Sequence, residues 1–461
     1  MPFSLRIVIG LLAMATALAL LNVFVLNRAV RAFGLSARQR RIAIGALAVP
    51  FVFTILFRAT GRLLPIGFGQ SLAVGISAAE MGVVIAAVLL GVAALVERVG
   101  RWITRLRGGV VASDPAAASL DPRGDLAPKI AEGAIGNVQR SAATTDGGAA
   151  VAEVVVADIA ATDIAATEIA VVDVARARVA PTHHVTRRAF VEQAVAGSAL
   201  LVGGASAGYG AIFGRHDYEL ATVPVRIPGL SRAADGFTIV QLSDIHLGLM
   251  VGETEERAAE ELARKAKGDL IVLTGDLIDH DVRYTERLGR LVRRLSAIAP
   301  VAAIPGNHDY YTGIDEVLAT LRSAGATTLV NQATTLLGDR GGIVLVGLDD
   351  PSGAPNGGGP DLARALAGVR SDAPRIVLCH NPRTFVDIAG QIALQISGHT
   401  HGGQVNMGFR PADVVLRHGY IAGLYETSGS HIYVNRGFGT AGPAARVGAP
   451  PEVSRIVLVA A

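Results

Sequence analysis

Ser397-Gly398-His399-Thr400-His401-Gly402-Gly403-Gln404 is the stretch on which the fold of this chain turns. It follows a short apolar run, Ile392 to Ile396, that reads as a buried strand. Two imidazoles one residue apart at a strand exit converge on one point only if the backbone turns sharply, and the flanking glycines permit that turn. An H-x-H pair alone is a weak signal. Four upstream stretches give it weight, because each also places Asp, His or Asn at the end of an apolar run. Phe237 to Leu242 leads into Asp244-Ile245-His246, and Leu270 to Leu273 leads into Gly275-Asp276-Leu277-Ile278-Asp279. Val301 to Ile304 leads into Gly306-Asn307-His308-Asp309, and Arg375 to Leu378 leads into Cys379-His380-Asn381. Helical periodicity over Glu253 to Lys267 and Arg283 to Ile298 separates them, and Ile343 to Leu348 reads as a further strand. The alternation predicts an α/β domain whose candidate ligands gather at one strand-end edge, where open α/β sheets bind ligands.

The residue types define the chemistry. Oxygen ligands mixed with imidazole suit Mn²⁺, Fe or Zn²⁺, whereas an all-oxygen set suits Mg²⁺ or Ca²⁺. Two such ions about 3.5–4 Å apart form a clamp for in-line phosphoryl displacement. Their repulsion, about 16 kcal/mol at an effective dielectric near 20, demands a carboxylate between them. Asp276, beside Gly275 at a strand tip, is the natural bridge. A metal-bound hydroxide would serve as nucleophile, so the single cysteine, Cys379, is expected to pack rather than react.

Asp244-x-His246, Gly275-Asp276-x-x-Asp279, Gly306-Asn307-His308-Asp309, His380 and Gly398-His399-x-His401 resemble the five-block signature of the calcineurin-like metallophosphoesterases. SDIHLG, GNHDY and SGHTHGGQ resemble its membrane-anchored bacterial branch. The resemblance covers Tyr218 to Ala461. It implies two packed mixed β-sheets flanked by helices, a four-layer sandwich. It also implies one metal on Asp244, His246, Asp276 and His401, and a second on Asp276, Asn307, His380 and His399. His308 would contact the phosphate and assist the leaving group, Asp309 would orient His308, and Asp279 would support the ligands from behind. Some relatives of that branch act on lipid-linked sugar nucleotides such as UDP-diacylglucosamine. Outside the blocks, Arg417, Tyr420 and Arg436 are candidates for holding substrate, since an arginine there suits a phosphate.

The N-terminal half has another character. Ile7 to Leu26, Ile42 to Phe57, Leu72 to Val96 and Ala194 to Phe213 are apolar runs of membrane-spanning or near-spanning length. Glu80 falls inside the third, which is expected to start near Met81 with the carboxylate at the interface. The organisation read here is a three-helix transmembrane region over 1–107, a low-complexity linker over 108–186, a fourth span or twin-arginine-like signal anchor over 187–214, and the catalytic domain over 215–461. Arginines cluster between the first two spans and after the third, so both clusters are expected in the cytoplasm and the catalytic domain outside it. Together with the resemblance to the bacterial branch, this implies a chain in a bacterial cell membrane, in contact with lipid.

Composition agrees with a membrane protein and argues against a nucleic-acid reader. Hydrophobic residues make up 51% of the 461 positions, concentrated before Arg215. From Arg215 onward, 23 Lys and Arg stand against 26 Asp and Glu, so the catalytic half lacks the basic surface that nucleic acid requires. The expected substrate is a small or lipid-linked phosphomonoester, phosphodiester or pyrophosphate. The rival reading is a membrane sensor that keeps the metal site for binding, against which the intact His308 and Asp309 weigh.

Overall fold

A computed structural model describes residues 3–60, 70–108, 186–337, 342–369, 372–408, 410–416 and 419–461. The expected linker, apart from its ends, lies outside these residues, as do Arg417 and His418. The chain divides into one unit of residues 1–96 with 189–461 and another of 97–188. Of the second, the described part is two helix ends.

Among the described residues, four α-helices precede the first strand: α1 (Phe3–Phe33), α2 (Ala37–Thr60), α3 (Gln70–Gly108) and α4 (Arg187–Ile212). Among the same residues, three segments are long and apolar enough to cross a membrane: Leu12–Phe33, Gln70–Arg105 and Arg187–His216. The expected span at 42–57 is helical within α2, with some of its side chains outside the described residues. Where α3 and α4 cross, a Cβ at Gly203 would lie 2.5 Å from the Gly82 carbonyl oxygen, so the backbones meet through small residues.

Beyond them, β1 (Glu219–Ile227), β2 (Thr238–Leu242), β3 (Leu270–Thr274), β4 (Val301–Ile304) and β5 (Thr327–Thr328) belong to one sheet, with β12 (Glu452–Ala460) inserted between β1 and β2. The second sheet takes β6 (Gln332–Leu336), β7 (Ile343–Gly347), β8 (Arg375–Leu378), β9 (Leu394–Ser397), β10 (Gly423–Thr427) and β11 (Ser430–Val434), in the order β10-β11-β9-β8-β7-β6. Pairs β2–β3, β3–β4, β7–β8 and β8–β9 are parallel, while β12–β2, β6–β7 and β10–β11 are antiparallel. Both sheets are therefore mixed, as the resemblance implied. The central strands are buried along their whole length, which is why they are rich in Ile, Val, Leu and Ala, with Gln241 of β2 as the one long polar side chain among them.

Period-two alternation then sorts each strand between two cores. Val272 of β3 faces the second sheet, where Ile239, Ile304, Leu345, Ile376 and Ile396 meet it. Its neighbours Ile271 and Leu273 face the helices α5 (Glu253–Ala266), α6 (Thr285–Ser296) and α8 (Ile314–Ser323), which follow α7 (Asn307–Thr312) or precede it in the chain. Val344, Val346 and Val377 cover the opposite outer face with Phe385 and Ile388. The result is four layers: helix, sheet, sheet, helix. The strand ends of both sheets open onto the same edge, and every expected metal ligand leaves from that edge.

Candidate dinuclear metal site

Each ligand block begins where a buried strand ends, and the turn there is tight. Asp244, His246, Asp276, His399 and His401 all have positive φ, between 51° and 75°. Five of the eleven described non-glycine residues with positive φ are thus expected ligands, in a conformation that disfavours side chains and is held by its surroundings. Glycines allow the close approaches between turns. A Cβ at Gly306 would lie 2.3 Å from Asp276 Oδ1, and one at Gly398 would lie 2.2 Å from Asp244 Oδ2.

All seven expected ligands converge in two groups. Asp244, His246 and His401 form one, with His401 Nε2 3.4 Å from Asp244 Oδ1 and 3.1 Å from His246 Nε2. Asp276, His380 and His399 form the other, with His380 Nε2 3.2 Å from Asp276 Oδ2 and 3.3 Å from His399 Nδ1. Asn307 Oδ1 joins the second group, 2.9 Å from His399 Nδ1. Asp276 links the two, since the same Oδ2 lies 3.7 Å from His246 Nε2. Its Oδ1 accepts the backbone N–H of His308 at 2.8 Å, which fixes the carboxylate's rotation.

The electrostatics fit divalent cations. Burial would raise the Asp276 carboxyl, but His380, His308 and His246 hold it well below the usual carboxylate range. Burial opposes charge on His380 as well, and is outweighed by Asp276, Asp244 and Asp350, which hold the imidazole well above its ordinary range. This carboxylate field therefore draws positive charge into a buried place. His401 is pushed well below its ordinary range, by burial first and then by His246 and Arg446. His246 Nδ1 is buried and has no hydrogen-bond partner. Charged carboxylates beside facing imidazole nitrogens are the donors that divalent first-row metals take.

Some side chains take other places than expected. Asp309 does not serve His308: its Oδ1 accepts Leu277 N–H at 2.9 Å and Ile278 N–H at 3.3 Å, and its Oδ2 accepts Gly306 N–H at 2.8 Å. It is the third residue of α7 and turns back to cap that helix. Asp279 takes the orienting place instead, with Oδ1 3.0 Å from His308 Nδ1. Arg436, expected at the substrate, is held by Glu219 at 2.7 Å and by Glu452. Tyr420 packs edge-on against Phe385 and Tyr425 on the outer face of the second sheet. Arg417 lies outside the described residues.

Two further groups emerge from the structure. Asp350 leaves the end of β7, is 1% exposed, keeps Oδ2 without a hydrogen-bond partner and bears on His380. The strand-end rule that found the other carboxylates applies to Leu348-Asp349-Asp350 and was the available signal. Arg446, fully buried, places Nη2 3.0 Å from His401 Nδ1, and no motif announces it. Asn435 to Gly439 returns past the site, with Phe438 N–H on Ser243 O and Gly439 N–H on Asp244 O.

The calcineurin-like phosphoesterase family matches residues 237–403. A metallophosphoesterase of Bacillus subtilis, YkuE, is 32% identical over 284 residues, covering 59% of this chain and 98% of the relative. A Campylobacter jejuni metallophosphoesterase, Cj0846, is 35% identical over 244 residues, covering 51% of this chain and 62% of its own. A Danio rerio transmembrane protein with a metallophosphoesterase domain is 31% identical over 277 residues, covering 56% and 62%. The chain is thus a metal-dependent phosphoric ester hydrolase in class. It belongs to the calcineurin-like metallophosphoesterase family.

Proposed function

We propose that this protein hydrolyses an amphiphilic phosphate ester at the surface of a bacterial membrane, with its catalytic domain outside the cytoplasm. The observation that carries the reading is Asp276, one carboxylate between two His-rich clusters at the shared strand-end edge. Asp244, His246 and His401 would hold one divalent cation, and Asn307, His380 and His399 the other, with Asp276 shared between them. The two ions, when bound, supply Lewis acidity and a nucleophile at neutral pH. His308 protonates the leaving oxygen. Asp279 engages its Nδ1, so Nε2 is the nitrogen that can donate.

The membrane part of the proposal rests on the helices. Val405 and Met407, just past the H-x-H turn, pack with Ala78, Met81 and Ala207 of α3 and α4. A site whose loops rest on membrane helices suits a substrate embedded in lipid. With the arginine clusters inside, a nucleotide-linked lipid such as UDP-diacylglucosamine would lie on the wrong face, so phospholipid head groups or cell-wall phosphodiesters fit better. The test uses the full chain in lipid nanodiscs with Mn²⁺, a bis-p-nitrophenyl phosphate assay and a panel of lipid phosphodiesters. Lipid turnover that Asp276→Ala abolishes supports the reading; hydrolysis surviving that change removes it. A reporter fused after Ala461 that is active in the cytoplasm removes the orientation.

A further inference from the structure

We infer that the membrane helices α3 and α4 form part of the metal site, acting through Arg446 as a positioning residue for one of the two cations. The inference rests on the dinuclear reading above.

The segment joining β11 to β12 crosses from the second sheet to the first, beside the two strands next to them, β9 and β2. Those strands carry His401 and the Asp244–His246 pair, and β9 also carries His399 of the other group. Asn307 and His380 follow β4 and β8, further along the two sheets. The crossing segment therefore runs along one half of the dinuclear site.

On its outer side that segment is fastened to the membrane helices. Ala444 N–H donates to Ser77 Oγ of α3 at 2.9 Å. Arg446 N–H donates to the Gly210 carbonyl of α4 at 3.1 Å. Ala445 between them is fully buried with Ala78, Met81, Ile85, Ala207 and Ala211. The fit leaves no room: a Cβ at Gly210 would stand 2.9 Å from Arg446 O, and one at Gly214 would stand 2.0 Å from it.

On its inner side the same residue reaches the cluster. The Arg446 guanidinium donates to the carbonyls of Arg436 at 2.8 Å, Gly437 at 3.0 Å, Gly439 at 2.9 Å and Ala449 at 3.1 Å. These bonds fix the guanidinium plane, and its Nη2 then meets His401 Nδ1 at 3.0 Å. A guanidinium only donates and cannot take the Nδ1–H of a ligating imidazole, so Arg446 acts through the turn it holds: Gly439 N–H donates to the Asp244 carbonyl at 2.7 Å, while His401 Nε2 faces Asp244 and His246. The other histidine of this group is tethered too. Four residues after His246, the Met250 carbonyl accepts from Arg215, just past the end of α4, while Ser77 Oγ lies 3.9 Å from the Met250 sulfur. Both imidazoles of one cation position are thereby referenced to α3 and α4. Hydrogen bonds that hold the ligands from behind typically change metal affinity by about tenfold to a hundredfold when removed.

The experiment counts Mn²⁺ bound to the full chain in nanodiscs, by equilibrium dialysis and elemental analysis, with Mn²⁺ spin resonance to detect coupling between paired ions. Wild type and Gly208→Ala, whose new Cβ meets nothing within 4 Å, should bind two coupled ions. Gly214→Ala, Ser77→Ala and Arg446→Gln should keep one ion at wild-type affinity, bind the second about tenfold or more weakly, and lose the coupled signal. Two ions retained within twofold of wild-type affinity in Gly214→Ala and Arg446→Gln would overturn the inference. So would equal loss of both ions in every variant, which marks general damage rather than positioning. A wild type that binds no Mn²⁺ would remove the dinuclear reading and this inference with it.

Discussion

Asp309→Ala separates the role that adjacency to His308 suggests from the one its contacts show. The carboxylate is fully buried and accepts three backbone N–H groups, from Leu277, Ile278 and Gly306, at 2.9, 3.3 and 2.8 Å. Those donors lie on the two turns that carry Asp276 and Asn307. Truncation leaves three buried donors without their acceptor, each worth about 1–3 kcal/mol. A water admitted to the vacated space recovers part of this, so the expected loss is about 3–5 kcal/mol. For a domain of this size each kcal/mol moves the melting temperature by about 2–4 °C, so Tm should fall on the order of 10 °C. Melting is followed by intrinsic fluorescence in nanodiscs with chelator present, which removes stabilisation by bound ions. Asp279→Ala is the counterpart. Its side chain is 31% exposed and its Oδ1 meets His308 Nδ1, so Tm should move by less than about 3 °C. Turnover should instead fall about tenfold to a hundredfold as the general acid loses its orientation. If Asp309→Ala melts with wild type while losing as much turnover as His308→Ala, the clamp reasoning is refuted.

Three other outcomes follow from the same geometry. Gly306→Ala places a methyl 2.3 Å from Asp276 Oδ1 and 2.4 Å from its N, so the bridging carboxylate must shift. A displacement approaching 1 Å costs about a hundredfold in turnover, and unchanged kcat would refute the predicted crowding. Gly203→Leu puts a side chain where Gly82 O lies 2.5 Å away, so the α3–α4 contact should separate and Tm should drop, as read by fluorescence; an unchanged Tm would show that the helices do not cross there. Burial pushes the Cys379 thiol up to about 12, against about 8.5 in an unfolded chain. The neutral thiol's contribution to stability is therefore complete below about pH 8.5 and is lost as pH rises toward 12. Native protein at pH 8 should resist maleimide while urea-unfolded protein labels fully, and rapid native labelling would show the thiol to be accessible.

The expected metal ligands were legible because strand ends announce themselves: an apolar run, then a glycine or a polar pair. Length and alternation sufficed to place Asp244, Asp276, Asn307, His380 and His399 on one edge before any contact was known. β12 was illegible as a neighbour of β2, since nothing in Glu452 to Ala460 says it inserts between two strands more than two hundred residues earlier. Sequence adjacency misled at His308. Successive residues of a helix point about 100° apart, so Asp309 faces back to the start of α7 while the acid beside His308 comes from the turn after β3.

Arg446 was illegible for a deeper reason. It has no spacing relation to any ligand, lies in a Gly-, Ala- and Pro-rich segment, and carries a charge that usually stays at the surface. Only the tertiary arrangement shows its guanidinium satisfied by the carbonyls of Arg436, Gly437, Gly439, Ala449 and His401, with Nη2, which serves Gly437 and Gly439, also lying beside the His401 ring. A buried arginine costs several kcal/mol in desolvation unless its donors are met, and here backbone oxygens of the crossing segment meet them. Those oxygens are held in place by a segment whose other face is seated on α3 and α4. The proposed dinuclear cluster and the membrane helices, which look like separate halves of the sequence, therefore share one set of hydrogen bonds. Removing the helices should cost the enzyme a cation as well as its anchor.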